Sequence, residues 1–272
     1  MREFGTVMEP VFPLLAALGI GAVLGFFGGL FGIGGGIIAI PVLVLGFGMD
    51  QALAQGTALA MMVPNLVMAW WRYWRRGPGG LGRGTLLVAL AGTLTTYGAA
   101  QAAQGMNPQV LQLVFAGFLA LVGIGQWRRA GKGPEGGPEG GPQAGPDRLA
   151  SRGRLMPLVG VAGGGCMGLL GVGGGLVATP LLTGLFGLGQ RAAQGVALAM
   201  VSPSSAAALL SYARAQRVDW PMGVALAVGG VLTVSAGVAV AHAVPEHRLK
   251  ALFGLMLLAT AGLLVLEKTG LL

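Results

Sequence analysis

The chain has 272 residues, of which 52 are glycine, 54% are hydrophobic and only 10% are charged, with a formal net charge of +8. A soluble domain carries about 25% charged residues and about 7% glycine, so this composition excludes one. The absence of a Gly-X-Y period excludes collagen, and the apolar content excludes disorder as the general state. What remains is an all-α polytopic membrane protein. Its basic residues sit in short clusters between apolar runs, as in membrane loops, and do not form a nucleic-acid patch.

A crossing needs about 20 apolar residues. The first apolar stretch, Val11 to Met49, is too long for one helix and for the apolar core of a signal peptide. It is interrupted by Gly28-Gly29-Leu30-Phe31-Gly32-Ile33-Gly34-Gly35-Gly36. The next run, Gln51–Trp71, ends in Arg72, Arg75 and Arg76, with Trp70, Trp71, Tyr73 and Trp74 as an interfacial belt. Two more follow, Thr85–Ala103 and Val110–Trp127. Residues 128–154, with Gly-Pro-Glu-Gly-Gly-Pro-Glu-Gly-Gly-Pro, read as a flexible linker outside the bilayer. The pattern then restarts with Leu155–Leu188, Gln190–Ala213, Met222–Val244 and Leu249–Leu266. The expected organisation is therefore a first membrane repeat (1–127), a cytoplasmic linker (128–154) and a second repeat (155–272).

An offset of 139 residues aligns Gly29–Arg75 with Gly168–Arg214 without a gap. Gly29-Leu30-Phe31-Gly32-Ile33-Gly34-Gly35-Gly36 falls on Gly168-Leu169-Leu170-Gly171-Val172-Gly173-Gly174-Gly175. Pro41 falls on Pro180, Gln51 on Gln190, Gln55 on Gln194, Pro64 on Pro203, and Tyr73/Arg75 on Tyr212/Arg214. Internal duplication with interrupted helices is a transporter signature.

Two layouts follow. About eight crossings, with Gly-broken or re-entrant first helices, give parallel halves. One side then holds fourteen Lys/Arg against three, which places both termini in the cytoplasm of a multi-pass cell-membrane protein. Letting each glycine box separate two crossings gives five per half, an inverted repeat and a division of thirteen against four.

The boxes have two readings. Small residues let membrane helices approach, and Gly21, Gly25, Gly28, Gly29 and Gly32 have the spacing for that. Gly34-Gly35-Gly36 and Gly173-Gly174-Gly175 also break a helix inside the protein, freeing backbone N–H groups at a half-helix start, a natural anion site. A phosphate-loop reading fails because no βαβ unit surrounds the boxes. Gln51, Gln55, Ala58, Met62 and Asn65 share one helical face, and Gln190, Gln194, Ala197, Val201 and Ser204 share its counterpart. Gln51 and Gln190 read as interhelical glue; Gln55, Asn65, Gln194 and Ser204 read as lining a pathway. No acidic residue falls mid-membrane by this assignment, so neutral donors suit an anion or a neutral solute better than a cation. His242 is the one titrating group near the pathway. A lone Cys166 and two histidines provide no metal cage, and no catalytic residue, metal or cofactor is expected.

At these duplicated motifs the chain resembles the TauE/SafE family of sulfite and organosulfonate permeases, also called the toluene sulfonate uptake permease family. Gln55-Gly56-Thr57-Ala58-Leu59-Ala60-Met61-Met62-Val63-Pro64-Asn65 is similar to that family's Ala-x-Gly-Thr-Ser-Leu-x-x-x-x-Pro run, and Asp219-Trp220 to its Val-Asp-Trp. Val196 departs from the Thr expected after Gly195. The resemblance implies a permease, not an enzyme, moving a small sulfur-containing anion such as sulfite, sulfoacetate or another sulfonate, linked to the proton gradient. The expected site is Gly34, Gly35, Gly36, Gln55, Asn65, Gly173, Gly174, Gly175, Gln194 and Ser204, worked by alternating access of the two repeats. The alternative is a permease for another small anion, a neutral solute or an amino acid. The expected partners are the substrate and the lipid bilayer, with monomer and homodimer both open.

Overall fold

The computed structural model describes residues 3–31, 35–76, 83–130, 155–186, 190–243 and 246–268. Among the described residues there are ten helices and no strand: α1 (Glu3–Phe31), α2 (Gly36–Phe47), α3 (Gln51–Arg76), α4 (Arg83–Gly105), α5 (Pro108–Ala130), α6 (Met156–Leu170), α7 (Gly175–Phe186), α8 (Gln190–Arg214), α9 (Trp220–Ala243) and α10 (Glu246–Lys268). Helices α1–α5 and α6–α10 are the two repeats. The 128–154 linker falls mostly outside the described residues.

The glycines show which way the helices run. Along the α1–α9 contact, Gly21 lies against Leu226, Gly25 against Gly230, and Gly237 against Phe26 and Leu30, so both numbers rise together and the helices are parallel. Along α6–α4, Gly160 meets Val88, Gly164 meets Gly92 and Gly168 meets Thr96, again parallel. Thr57 and Ala60 of α3 pack on Gly223, and Met61 approaches Gly230, so α3 also runs with α9. The start of α3 meets the end of α8, where Gln55 bonds Tyr212. Helices α1, α3 and α9 thus point one way, and α4, α6 and α8 the other. Every counterpart pair (α1/α6, α3/α8, α4/α9) is oppositely directed. The repeat is inverted.

The fold class is as expected: an all-helical polytopic protein in two homologous halves, each with a glycine-broken start. The described residues hold ten helices, where the expectation was about eight crossings with glycine-broken or re-entrant first helices. Because α1 and α3 run the same way, α2 must return between them, and α7 does the same between α6 and α8. At 12 residues each, α2 and α7 are about 18 Å long, well short of the roughly 30 Å hydrocarbon core.

The first helix of each half docks on the fourth helix of the other. Backbones touch there, since a Cβ at Gly25 would fall 2.3 Å from Gly230 Cα, and one at Gly164 2.3 Å from the Gly92 carbonyl oxygen. Threonines add cross-helix bonds: Thr96 donates to the Gly164 carbonyl at 3.0 Å, and Thr233 donates to that of Ala22. Without a hydrophobic drive between helices in lipid, such close approach is the main source of association. The outside is apolar, with Leu94, Leu121 and Leu232 each about three-quarters exposed, as a lipid-facing surface requires.

Candidate solute site

Both glycine boxes turn the chain inside the protein. Gly35, at φ 83°, starts α2, and its carbonyl accepts from Ile38 and Ala39 at 3.1 and 2.9 Å. Gly171, at φ 67°, ends α6, its N–H bonding the Met167 carbonyl at 2.9 Å. Side chains rarely tolerate such φ values, which is why glycine stands at both turns. The second box then restarts a helix, with Gly173 accepting from Leu176 and Gly174 from Val177 and Ala178. The N–H groups of Gly36, Gly174 and Gly175 have no backbone partner among the described residues, as at any helix start, where the dipole favours negative charge.

The two starts are covered differently. At Gly36 a Cβ would fall 1.9 Å from Met62 Sδ, and at Gly35 2.9 Å from Met61 Cε, so methionines fill that end. At Gly175 the nearest atoms to a Cβ are Val201 Cγ2 at 3.8 Å and Ala197 Cβ at 4.0 Å. Val201 stands where the first repeat has Met62, and the shorter side chain leaves room.

Buried polar side chains stand on α3, α4 and α8: Gln51, Gln55, Thr57, Thr96, Ser202, Ser204, Ser205 and Ser211. Gln55 crosses to the other repeat's box. Its Cβ and Cγ lie 3.3 Å from a Cβ placed on Gly171. Tyr212 donates its hydroxyl to Gln55 Oε1 at 2.6 Å and to the Gly168 carbonyl at 3.3 Å. Gln55 Nε2 and both polar atoms of Gln51 are buried without a protein partner among the described residues.

The rim of this region is charged. Asp50 caps α3 by accepting at Oδ1 from Ala52 and Leu53 N–H, both at 3.0 Å. Its Oδ2 takes Arg217 at 2.8 Å. The 215–219 connection is pressed onto α3: a Cβ at Gly56 would fall 1.9 Å from the Arg217 carbonyl oxygen, and Asp219 N–H donates to Thr57 Oγ1 at 3.0 Å. In the duplicated register Asp50 and Arg217 correspond to Gly189 and Pro78, so this ion pair has no twin.

The expected site residues that are described lie at the two turns and on α3 and α8. Gly34 and the side chain of Gln194 lie outside the described residues, as do the side chains of Gln190 and His242. Gln55 lies beside the second box at Gly171. From the first box, which packs at Met61 and Met62, it is six or seven residues away, about 9–10 Å along α3. Asn65 turns its amide to the Met61 carbonyl at 3.5 Å. Ser204 is buried and shares a 3.4 Å hydroxyl contact with Thr93 of α4. Sequence reasoning did not assign Tyr212 to the site. Its one signal was the Tyr73/Tyr212 match in the repeat register.

An inverted repeat whose broken helices turn inside the protein, with buried polar side chains on the adjoining helices, defines a membrane transporter. The family described as sulfite exporter TauE/SafE matches residues 17–264. The chain belongs to that family. A probable membrane transporter protein of Xylella fastidiosa strain 9a5c is 28% identical over 258 residues, covering 91% of this chain and 93% of the relative. Its counterpart in strain Temecula1 is 29% identical with the same coverage. No solved structure matches significantly. The protein is therefore a multi-pass membrane transporter and not an enzyme.

Proposed function

We propose that the protein is a secondary permease for a small sulfur-containing anion such as sulfite, sulfoacetate or another sulfonate. The observation that carries this reading is the pair of buried helix starts at the glycine boxes, with Gln55 beside the second and unpartnered amide donors on Gln55 and, one turn earlier on α3, Gln51. Backbone N–H groups of Gly34, Gly35, Gly36, Gly173, Gly174 and Gly175 would hold the oxyanion, with Gln55, Gln194, Asn65 and Ser204 completing the pathway. Alternating access would move one inverted repeat against the other, coupled to protons. The buried polar side chains among the described residues are amides and hydroxyls, without a carboxylate, lysine or arginine, which favours an anion over a cation.

Helix direction also bears on orientation. Among the described residues, nine basic residues (Arg72, Arg75, Arg76, Arg83, Arg128, Arg129, Arg191, Arg248 and Lys250) belong to helix ends on the face where α3 and α5 end. Arg214, Arg217 and Lys268 belong to the other. The positive-inside rule then places the linker in the cytoplasm and both termini opposite. The layout with about eight crossings puts the linker on the same side but both termini in the cytoplasm as well.

Flux of sulfite and sulfoacetate into proteoliposomes, compared with alanine and phosphate, tests the substrate class. Saturable flux restricted to the sulfur anions is expected, and equal or exclusive flux of alanine would overturn it. A pH step across the membrane tests coupling, since flux that ignores the step would mean passive permeation.

A further inference from the structure

Gln51 and Gln55 stand one turn apart on α3, at 2% and 0% exposure. A buried polar atom without a partner is unfavourable, and native proteins keep few of them. Three occur one turn apart here, Gln51 Oε1, Gln51 Nε2 and Gln55 Nε2, and the Cβ and Cγ of Gln55 border the Gly171 turn. Their hydrogen-bonding character is not uniform. Gln55 Oε1 already accepts from the Tyr212 hydroxyl, so the unpartnered atom of Gln55 is its Nε2, a donor. Gln51 offers an N–H group and a carbonyl oxygen, and this holds whichever way its amide is turned. The three atoms are thus two donors and one acceptor.

We propose that Gln51 and Gln55 are direct solute contacts, and that Gln51 selects a solute carrying a hydrogen-bond donor as well as acceptor oxygens, such as a hydroxy- or amino-sulfonate. Tyr212 acts as a positioning residue, holding the Gln55 amide so that its Nε2 is the free end. This deepens the sulfur-anion reading and rests on it. A sulfonate lacking the donor would leave the Gln51 carbonyl buried and unpaired, which is the arrangement that lets a polar site reject a near-isostere strongly.

The test compares 2-hydroxyethanesulfonate with ethanesulfonate, which differ by one hydroxyl. Proteoliposome KM and the ligand-induced shift in Tm are measured for wild type, Gln51→Leu and Gln51→Met. Wild type is expected to favour the hydroxylated sulfonate about tenfold or more in KM. Both variants are expected to lose that preference while their ligand-free Tm stays level or rises, because an apolar side chain removes the orphaned amide. Equal KM values in wild type, or a preference retained in both variants, would overturn the site while leaving the permease reading standing. If wild type moves neither sulfonate yet the hydroxylated one still raises Tm more, and the variants lose that difference, the site stands and the transport reading falls. No Tm shift with either sulfonate and no flux would overturn both.

Discussion

Alanine at Gly25 is the sharpest test of the helix packing. In an exposed helix interior, Gly→Ala is stabilising by about 0.5–1 kcal/mol through backbone entropy. At Gly25 the added Cβ would lie 2.3 Å from both Cα and O of Gly230. Those are backbone atoms, so no rotamer change can relieve the overlap. The α1–α9 axes must separate by about 1 Å to reach van der Waals distance. Overpacking of this kind is destabilising by about 1–3 kcal/mol, which exceeds the entropic gain. Gly98 and Gly117 also lie in helices, but a Cβ on either has nothing within 4 Å. Gly25→Ala should therefore lower Tm in detergent, while Gly98→Ala and Gly117→Ala leave it level or raise it. The same chemical change should take opposite signs, decided by space alone. A Gly25→Ala protein as stable as Gly98→Ala would refute the close α1–α9 contact.

Replacing Val201 with Met should copy the first repeat's cover over the helix start at Gly175; flux is expected to fall severalfold with Tm unchanged, and normal flux would show that the space is not used. Tyr212→Phe keeps the buried ring but removes the donor to Gln55, with an expected loss of about 1–3 kcal/mol; an unchanged Tm would refute that bond. The Asp50–Arg217 pair is partly exposed, so a double-mutant cycle with Asp50→Asn and Arg217→Gln should give a coupling of only about 0.2–1 kcal/mol, shrinking in high salt. Asn keeps the helix cap, and additive effects would show that the two residues do not act as a pair. In a Cys166→Ala background, an impermeant thiol reagent applied outside cells should label Met106→Cys and spare Gly140→Cys in the linker; the reverse pattern would overturn the orientation.

Much of this was legible in the sequence. The two boxes were visible because the duplication repeats Gly-x-Gly-Gly-Gly in register, although the positive φ falls at Gly35 in the first and at Gly171, the counterpart of Gly32, in the second. Helix direction was not legible. The basic residues divide almost equally well in either layout, and the choice depends on which glycines touch across the repeats, such as Gly21 with Leu226. The polar face of α3 was read correctly as one face, yet it meets two different turns: Met62 covers Gly36 while Gln55 reaches Gly171. The Tyr212–Gln55 bond joins residues 157 apart, and no local pattern encodes such a pairing. Asn65 and Ser204 look alike on a helical wheel. Only their surroundings reveal that one turns back to its own helix and the other meets α4.

The exchange of first helices sets an order of events during synthesis. Gly25 finds Gly230 only after about 200 further residues have been made, which at about 5–20 residues per second takes roughly 10–40 s. Over that interval the glycine face of α1 lacks its α9 partner, while α6 can settle on an α4 that is already present. The nascent protein therefore matures from its middle outward, and its earliest helix is among the last to be seated. Two separately translated halves would have to meet in one membrane before either could complete its own bundle.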